Sequence, residues 1–126
     1  MSLLPRQDRR YLEDRGITVR EVIEGGKKGM FLTGVSLPEG KYQVAQADIL
    51  ILLPPSYPEG APDMFYAVPH LKLVAGQREP RCTQVRETYA GQNWQRWSRH
   101  NNQWRPGTDG IWTMLKRVEE ALEVAA

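Results

Sequence analysis

Ser98 and His100 stand two residues apart, a spacing that in an extended segment turns both side chains to one side. An imidazole so placed takes the proton of a hydroxyl or of an incoming nucleophile, which is the chemistry of acyl transfer through an activated serine. Asn93, Asn101 and Asn102 lie close in sequence and offer neutral amide donors for a developing oxyanion, while Arg96 and Arg99 offer positive charge for the same purpose or for a partner. Cys82 is a second candidate nucleophile. It is the single cysteine, set between Arg81 and Thr83, and cationic neighbours favour the thiolate form that attacks. Each feature has a plainer account: a Ser-x-His spacing arises often by chance, and a solitary cysteine is commonly an inert small hydrophobe.

All four tryptophans, Trp94, Trp97, Trp104 and Trp112, fall within one short stretch. Such side chains anchor an irregular segment to a core, each burying about 150–250 Å², and Trp104 and Trp112 are read chiefly in that way. Six arginines (78, 81, 86, 96, 99 and 105) against Glu79 and Glu87 give the same region a local excess of positive charge. Arginines interleaved with aromatics are also the surface on which single-stranded nucleic acid stacks. The whole chain, however, carries a net charge of only +2, and arginine stacks on tryptophan within one protein as well.

The elements that must position these residues follow from the rest of the sequence. A length of 126 residues, 25% charged and 40% hydrophobic, allows one soluble domain spanning 1–126. With 11 glycines and 9 prolines, turns and shaped loops outweigh long helices. One cysteine and two distant histidines, His70 and His100, point to no disulfide, no metal and no cofactor. Pro5 and the charges around it interrupt the run that a secretory signal needs, and the longest apolar run, Ile49 to Leu53, is far short of the ~20 residues that span a bilayer. A cytoplasmic protein without a membrane partner is expected.

Pro5 to Arg15, ended by Gly16, predicts a helix. Ile17 to Glu24 and Met30 to Val35 predict a hairpin about a turn from Gly25 to Gly29, and a strand within Tyr42 to Leu53 ends in an apolar run suited to burial on both faces. Six prolines fall between Pro54 and Pro80, leaving Asp63 to Val68 as one more strand. Gly76 to Pro106 shows no sustained period and is read as a long irregular loop with no strand through Trp94 to His100. Thr108 or Asp109 is the expected cap of a helix reaching Val124, whose apolar stripe is Ile111, Leu115, Val118 and Leu122. The class is α+β: a helix, a four-stranded antiparallel meander, a long loop and a helix packed on the sheet.

The segment Pro55-Ser56-Tyr57-Pro58-Glu59-Gly60-Ala61-Pro62, followed by Met64 and Phe65, resembles the P-x-Y-P-x-x-P-P that follows the third strand of ubiquitin-conjugating enzymes, with Ala61 replacing one proline. Trp104-Arg105-Pro106 is similar to the W-x-P that follows their active-site segment. The string W-Q-R-W-S-R-H from Trp94 to His100, then W-R-P-G from Trp104 to Gly107, resembles the hallmark of a bacterial branch of that superfamily, called prokaryotic family E. This resemblance covers the whole chain. It implies the ubiquitin-conjugating (UBC-like) fold, with Tyr57, Pro58, Pro62, Trp94, Trp97, Trp104 and Pro106 as structural motif residues. It also implies a carrier or transferase that takes the C-terminus of a ubiquitin-like protein from a ThiF-like activating enzyme as an acyl intermediate, with a deconjugating peptidase in the same pathway.

The departures bear on the site. Where the standard pattern has His-Pro-Asn this chain has Val68-Pro69-His70, and the standard cysteine position falls near Arg96 to Ser98, whereas Cys82 lies 22 residues before Trp104. The acyl acceptor is therefore open between Ser98, as an oxyester, and Cys82, as a thioester. The standard fold also carries further C-terminal helices; only one is expected here, and another surface is expected to cover one side of the sheet. A non-catalytic adaptor of the same fold, binding the ubiquitin-like protein or its activating enzyme, is the alternative, and a single-stranded nucleic-acid binder the third reading.

Overall fold

The computed structural model describes residues 4–62, 64–99 and 103–126. Helix α1 is Arg6–Asp14, opened by Pro5 and ended before Gly16, and it buries Asp8 and Leu12. Strands β1 (Val19–Glu24) and β2 (Lys27–Ser36) pair through a two-residue turn, Gly25-Gly26, whose φ values of +57° and +80° suit glycine. The turn is shorter than expected, because Lys27 to Gly29 already pair with Glu24 to Val22. Strands β3 (Gln46–Leu53) and β4 (Phe65–Val68) complete the antiparallel meander read from the sequence.

The sheet nevertheless has six strands, not four, in the order β1-β2-β3-β4-β6-β5. The stretch read as a long loop holds a 3-10 turn, Ala75–Gln77, and a second hairpin, β5 (Arg86–Tyr89) and β6 (Gln92–Trp97). Strand β6 lies between β4 and β5, pairing Trp97 with Phe65 and Trp94 with Glu87, so the tryptophan string does run through the sheet. Both faces of β6 are covered, and a strand buried on both sides shows no polar and apolar alternation.

Helices α1 and α2 (Ile111–Val124) lie on one face, over Met30, Ile49, Ile51, Phe65 and Trp97. A second core fills the other face with Phe31, Leu50, Tyr66, Tyr89 and Trp94. It exists because the sheet curls until its ends meet. The Tyr89 hydroxyl lies 2.8 Å from the Lys27 carbonyl and 3.1 Å from that of Val22, the Ala90 N–H donates to Glu24 Oε2 at 2.7 Å, and Lys27 pairs with Glu87 at 3.4 Å. Burial of Tyr89, aided by the Glu24 charge, raises its hydroxyl pKa. On the helix side a groove of about 450 Å³ remains between α2 and the sheet, lined chiefly by Ile17, Leu32, Leu37, Leu115, Val118 and Leu122.

Neither Thr108 nor Asp109 caps α2. The Asp109 carboxylate instead accepts the Arg105 N–H at 2.8 Å, which with the Thr113 hydroxyl and the Arg105 side chain holds its pKa below the usual range. The N-cap is Gly110, and the first free helical N–H, that of Ile111, donates to Asp8 Oδ1 at 3.1 Å. A carboxylate from α1 thus caps α2 and meets the positive end of its dipole. The approach requires a missing side chain: a Cβ on Gly110 would stand 2.7 Å from Asp8 Oδ1 and 2.6 Å from the Trp112 ring. Gly110→Ala is expected to destabilise the fold by about 1–3 kcal/mol through that crowding; a thermal transition unchanged from the parent would refute the cap.

Candidate functional site

Two anchoring systems hold the segments that carry the candidate residues. The first joins both ends of the chain to the proline-rich turn. Tyr57 is half-buried, its hydroxyl donates to Asp8 Oδ2, and burial, then the bond to Asp8 and its charge, push its pKa well above the ordinary value. Its ring lies 6.2 Å from that of Trp104, whose Nε1–H donates to the Pro58 carbonyl at 2.9 Å. The Tyr57–Pro58 and Val68–Pro69 peptides are cis. Pro62 is buried, whereas Pro106 is exposed in the turn that leads to α2.

The second system is β6 and the turn that crosses its end. Trp94 and Trp97 are 1% and 0% exposed and belong to opposite cores, Trp94 stacking on Phe31 and Trp97 on Phe65. Trp104 and Trp112, read from sequence as the firmer anchors, are only partly buried. Past Trp97 the Ser98 N–H donates to the Cys82 carbonyl at 3.1 Å. The structure therefore brings together the two candidate acceptors that sequence left apart.

Their side chains differ in access. Cys82 is exposed and held at φ +59°, while Ser98 is half-buried with Oγ 4.0 Å from the Met64 sulfur. The turn beneath Cys82 is held at each successive carbonyl. Pro80 O accepts from the Thr83 hydroxyl at 2.6 Å and from Gln84, Arg81 O from Arg99 at 3.3 Å, Cys82 O from Ser98, and Thr83 O from Arg86 at 2.6 Å. Such bonding fixes the backbone and leaves the thiol outward.

Arg99 lies across this junction, its guanidinium 5.0 Å from the Trp97 ring centre and donating also to the Ser98 carbonyl at 3.0 Å. Its charge partly offsets the burial that pushes the pKa of Tyr42 up to about 12; the Tyr42 hydroxyl donates to Leu122 O at 2.6 Å. Arg117 on α2 donates to the Arg99 carbonyl at 3.4 Å and lines a cleft of about 600 Å³ with Trp104, Arg105 and Asp109. Neither Ser98 nor Cys82 lines that cleft.

The other candidates are scattered. Asn93 sits at the far end of β6, about 16 Å along the strand from Ser98 at 3.3 Å per residue, and its carbonyl lies 3.0 Å from His70 Nε2. Arg96 points to the second core, opposite Tyr66, with its N–H on the Val85 carbonyl. His100, Asn101 and Asn102 lie outside the described residues. Among the described residues no group of three metal-binding side chains occurs, and no helix is long and apolar enough to cross a membrane.

The family model described as Prokaryotic E2 family E matches residues 4–125, nearly the whole chain. The chain belongs to this family. Neither the curated proteins nor the solved structures give a match to it. Membership gives the prokaryotic E2 a role in ubiquitin-like conjugation, which entails meeting a ubiquitin-like protein and its activating enzyme. The mixed α+β architecture, with a helix at each end of a curled antiparallel sheet, is consistent with that fold.

Sequence reasoning missed one residue of the site. Gln95, 0% exposed, lies beside Trp97 on the helix face of β6 and bonds to Leu71, Glu79 and Trp97. The only signal for it was its place inside the W-Q-R-W string, where a strand would turn it inward with Trp97.

Proposed function

We propose that this prokaryotic E2 is the acyl carrier of a cytoplasmic ubiquitin-like conjugation pathway, holding the ubiquitin-like C-terminus as a thioester on Cys82. The observation that carries the reading is the outward thiol of Cys82 on a turn whose backbone carbonyls are all bonded, at the end of the family's tryptophan string. Ser98, with its hydroxyl half-buried against Met64, is less open to two large partners in turn.

In the reaction a ThiF-like activating enzyme presents the activated C-terminus. The thiol's proton passes to solvent, Sγ forms a bond to the acyl carbon, and the activating enzyme's group leaves with the electron pair of the broken bond and takes up a proton. A target nucleophile then attacks the same carbon and the Cys82 thiolate leaves. Deconjugation by a peptidase would reverse the product. Intact-mass measurement after incubation with a ubiquitin-like protein, its activating enzyme and ATP tests the proposal: an adduct on this chain supports a carrier, and none, with the activating enzyme loaded, makes it an adaptor.

A further inference from the structure

A buried amide must find partners for two donors and two acceptor sites or lose stability for each one unmet. Gln95 meets all four, three inside the core and one at its edge. Its Oε1 accepts the Leu71 N–H at 2.9 Å and the Trp97 Nε1–H at 3.0 Å, and its Nε2 donates to Leu71 O at 3.1 Å and to Glu79 Oε1 at 2.9 Å. Glu79 Oε1 also accepts from Arg86 at 2.6 Å, and the other arm of that guanidinium holds Thr83 O, immediately after Cys82. Burial works against a charge on Glu79, yet the bonds from Gln95 and Arg86 and the guanidinium charge bring its carboxyl below the usual range. An apolar side chain would leave the Leu71 peptide groups and the Trp97 Nε1–H short of these partners; the amide satisfies them and ties the segment after β4, the 79–86 turn and β6 into one bonded set.

We propose that Gln95 is a positioning residue which, through Glu79 and Arg86, fixes the 80–83 turn against the end of β6, so that Cys82 and Ser98 are presented together to the incoming acyl group. The inference rests on the acyl-carrier reading, for either acceptor. Its test needs one readout independent of that reading, and the Ser98 amide provides it, since its bond to Cys82 O exists only while the turn is docked.

Glu79→Ala and Arg86→Ala, both at partly exposed positions, are expected to speed hydrogen exchange of the Ser98 amide by about tenfold, with the amides of Leu50 and Phe65 in the sheet unchanged. Adduct formation with the loaded activating enzyme should fall about tenfold or more in maximal rate at unchanged KM, as for a displaced reacting group. Glu79→Gln, whose amide oxygen still accepts from Gln95 and Arg86, should restore both. Gln95→Leu should match the alanine variants at Ser98 if it folds. Parental Ser98 exchange in both alanine variants, loss that spreads equally to Leu50 and Phe65, or no rescue by Glu79→Gln would each overturn the proposal. Absence of any adduct from the parent would sink the acyl-carrier reading, and Ser98 exchange would then still decide whether the network holds the turn.

Discussion

Cys82→Ala is expected to form no covalent adduct when incubated with the ubiquitin-like protein, its activating enzyme and ATP, whereas the parent gains the mass of one ubiquitin-like protein less one water. The rate should fall by at least about 1,000-fold, because loss of a nucleophile leaves no substitute for the bond it makes. Ser98→Ala and His100→Ala should keep the adduct. A thiol reductant should release it, as expected of a thioester; an oxyester on Ser98 would survive the reductant and yield to hydroxylamine. An adduct lost in Ser98→Ala and stable to reductant would transfer the role to the serine, and an adduct retained in all three variants would remove both nucleophiles.

Tyr57→Ala should destabilise the protein by about 3 kcal/mol, in the range for removing a packed aromatic. The ring leaves Trp104, and the Asp8 carboxylate, 2% exposed, loses its hydroxyl partner while still bound to the start of α2. Tyr57→Phe isolates the hydroxyl and should cost about 1–3 kcal/mol, since it leaves a buried acceptor short of a donor. The raised pKa of Tyr57 adds a pH signature. A group whose folded pKa lies above its unfolded value of 10.0 contributes stability in full below that pH and loses it as pH rises further. Urea midpoints should therefore decline above pH 10 more steeply in the parent than in Tyr57→Phe. Equal slopes, or a Tyr57→Ala midpoint like the parent's, would show that the motif does not hold the fold.

Helices α1 and α2 and the first four strands were legible because their signals are local: Pro5 and Gly16 at the ends of α1, Gly25-Gly26 in the hairpin and the apolar stripe of α2. The second hairpin was hidden by its turn. Ala90 and Gly91 take φ values of +51° and +76°, and alanine is not a residue that announces a left-handed position. Gln95, polar yet buried, masked the strand that carries it. At the site, Ser98 and Cys82 meet through a backbone N–H and carbonyl, which leave no trace in side-chain identity. Asp8 reads as one more charge on a polar helix, because the amide it caps lies 103 residues away.

That last separation bears on how the chain is made. Synthesis delivers Asp8 and Tyr57 long before Ile111, and Tyr42 long before the Leu122 carbonyl that it binds. Contacts so distant along the chain form late and slow folding. A nascent chain halted before Gly110 holds a buried-to-be carboxylate with no helix to cap and a sheet whose core face lacks Met114, Val118 and Leu122. Until the C-terminal helix emerges, that face of the sheet is expected to stay open to association with other chains.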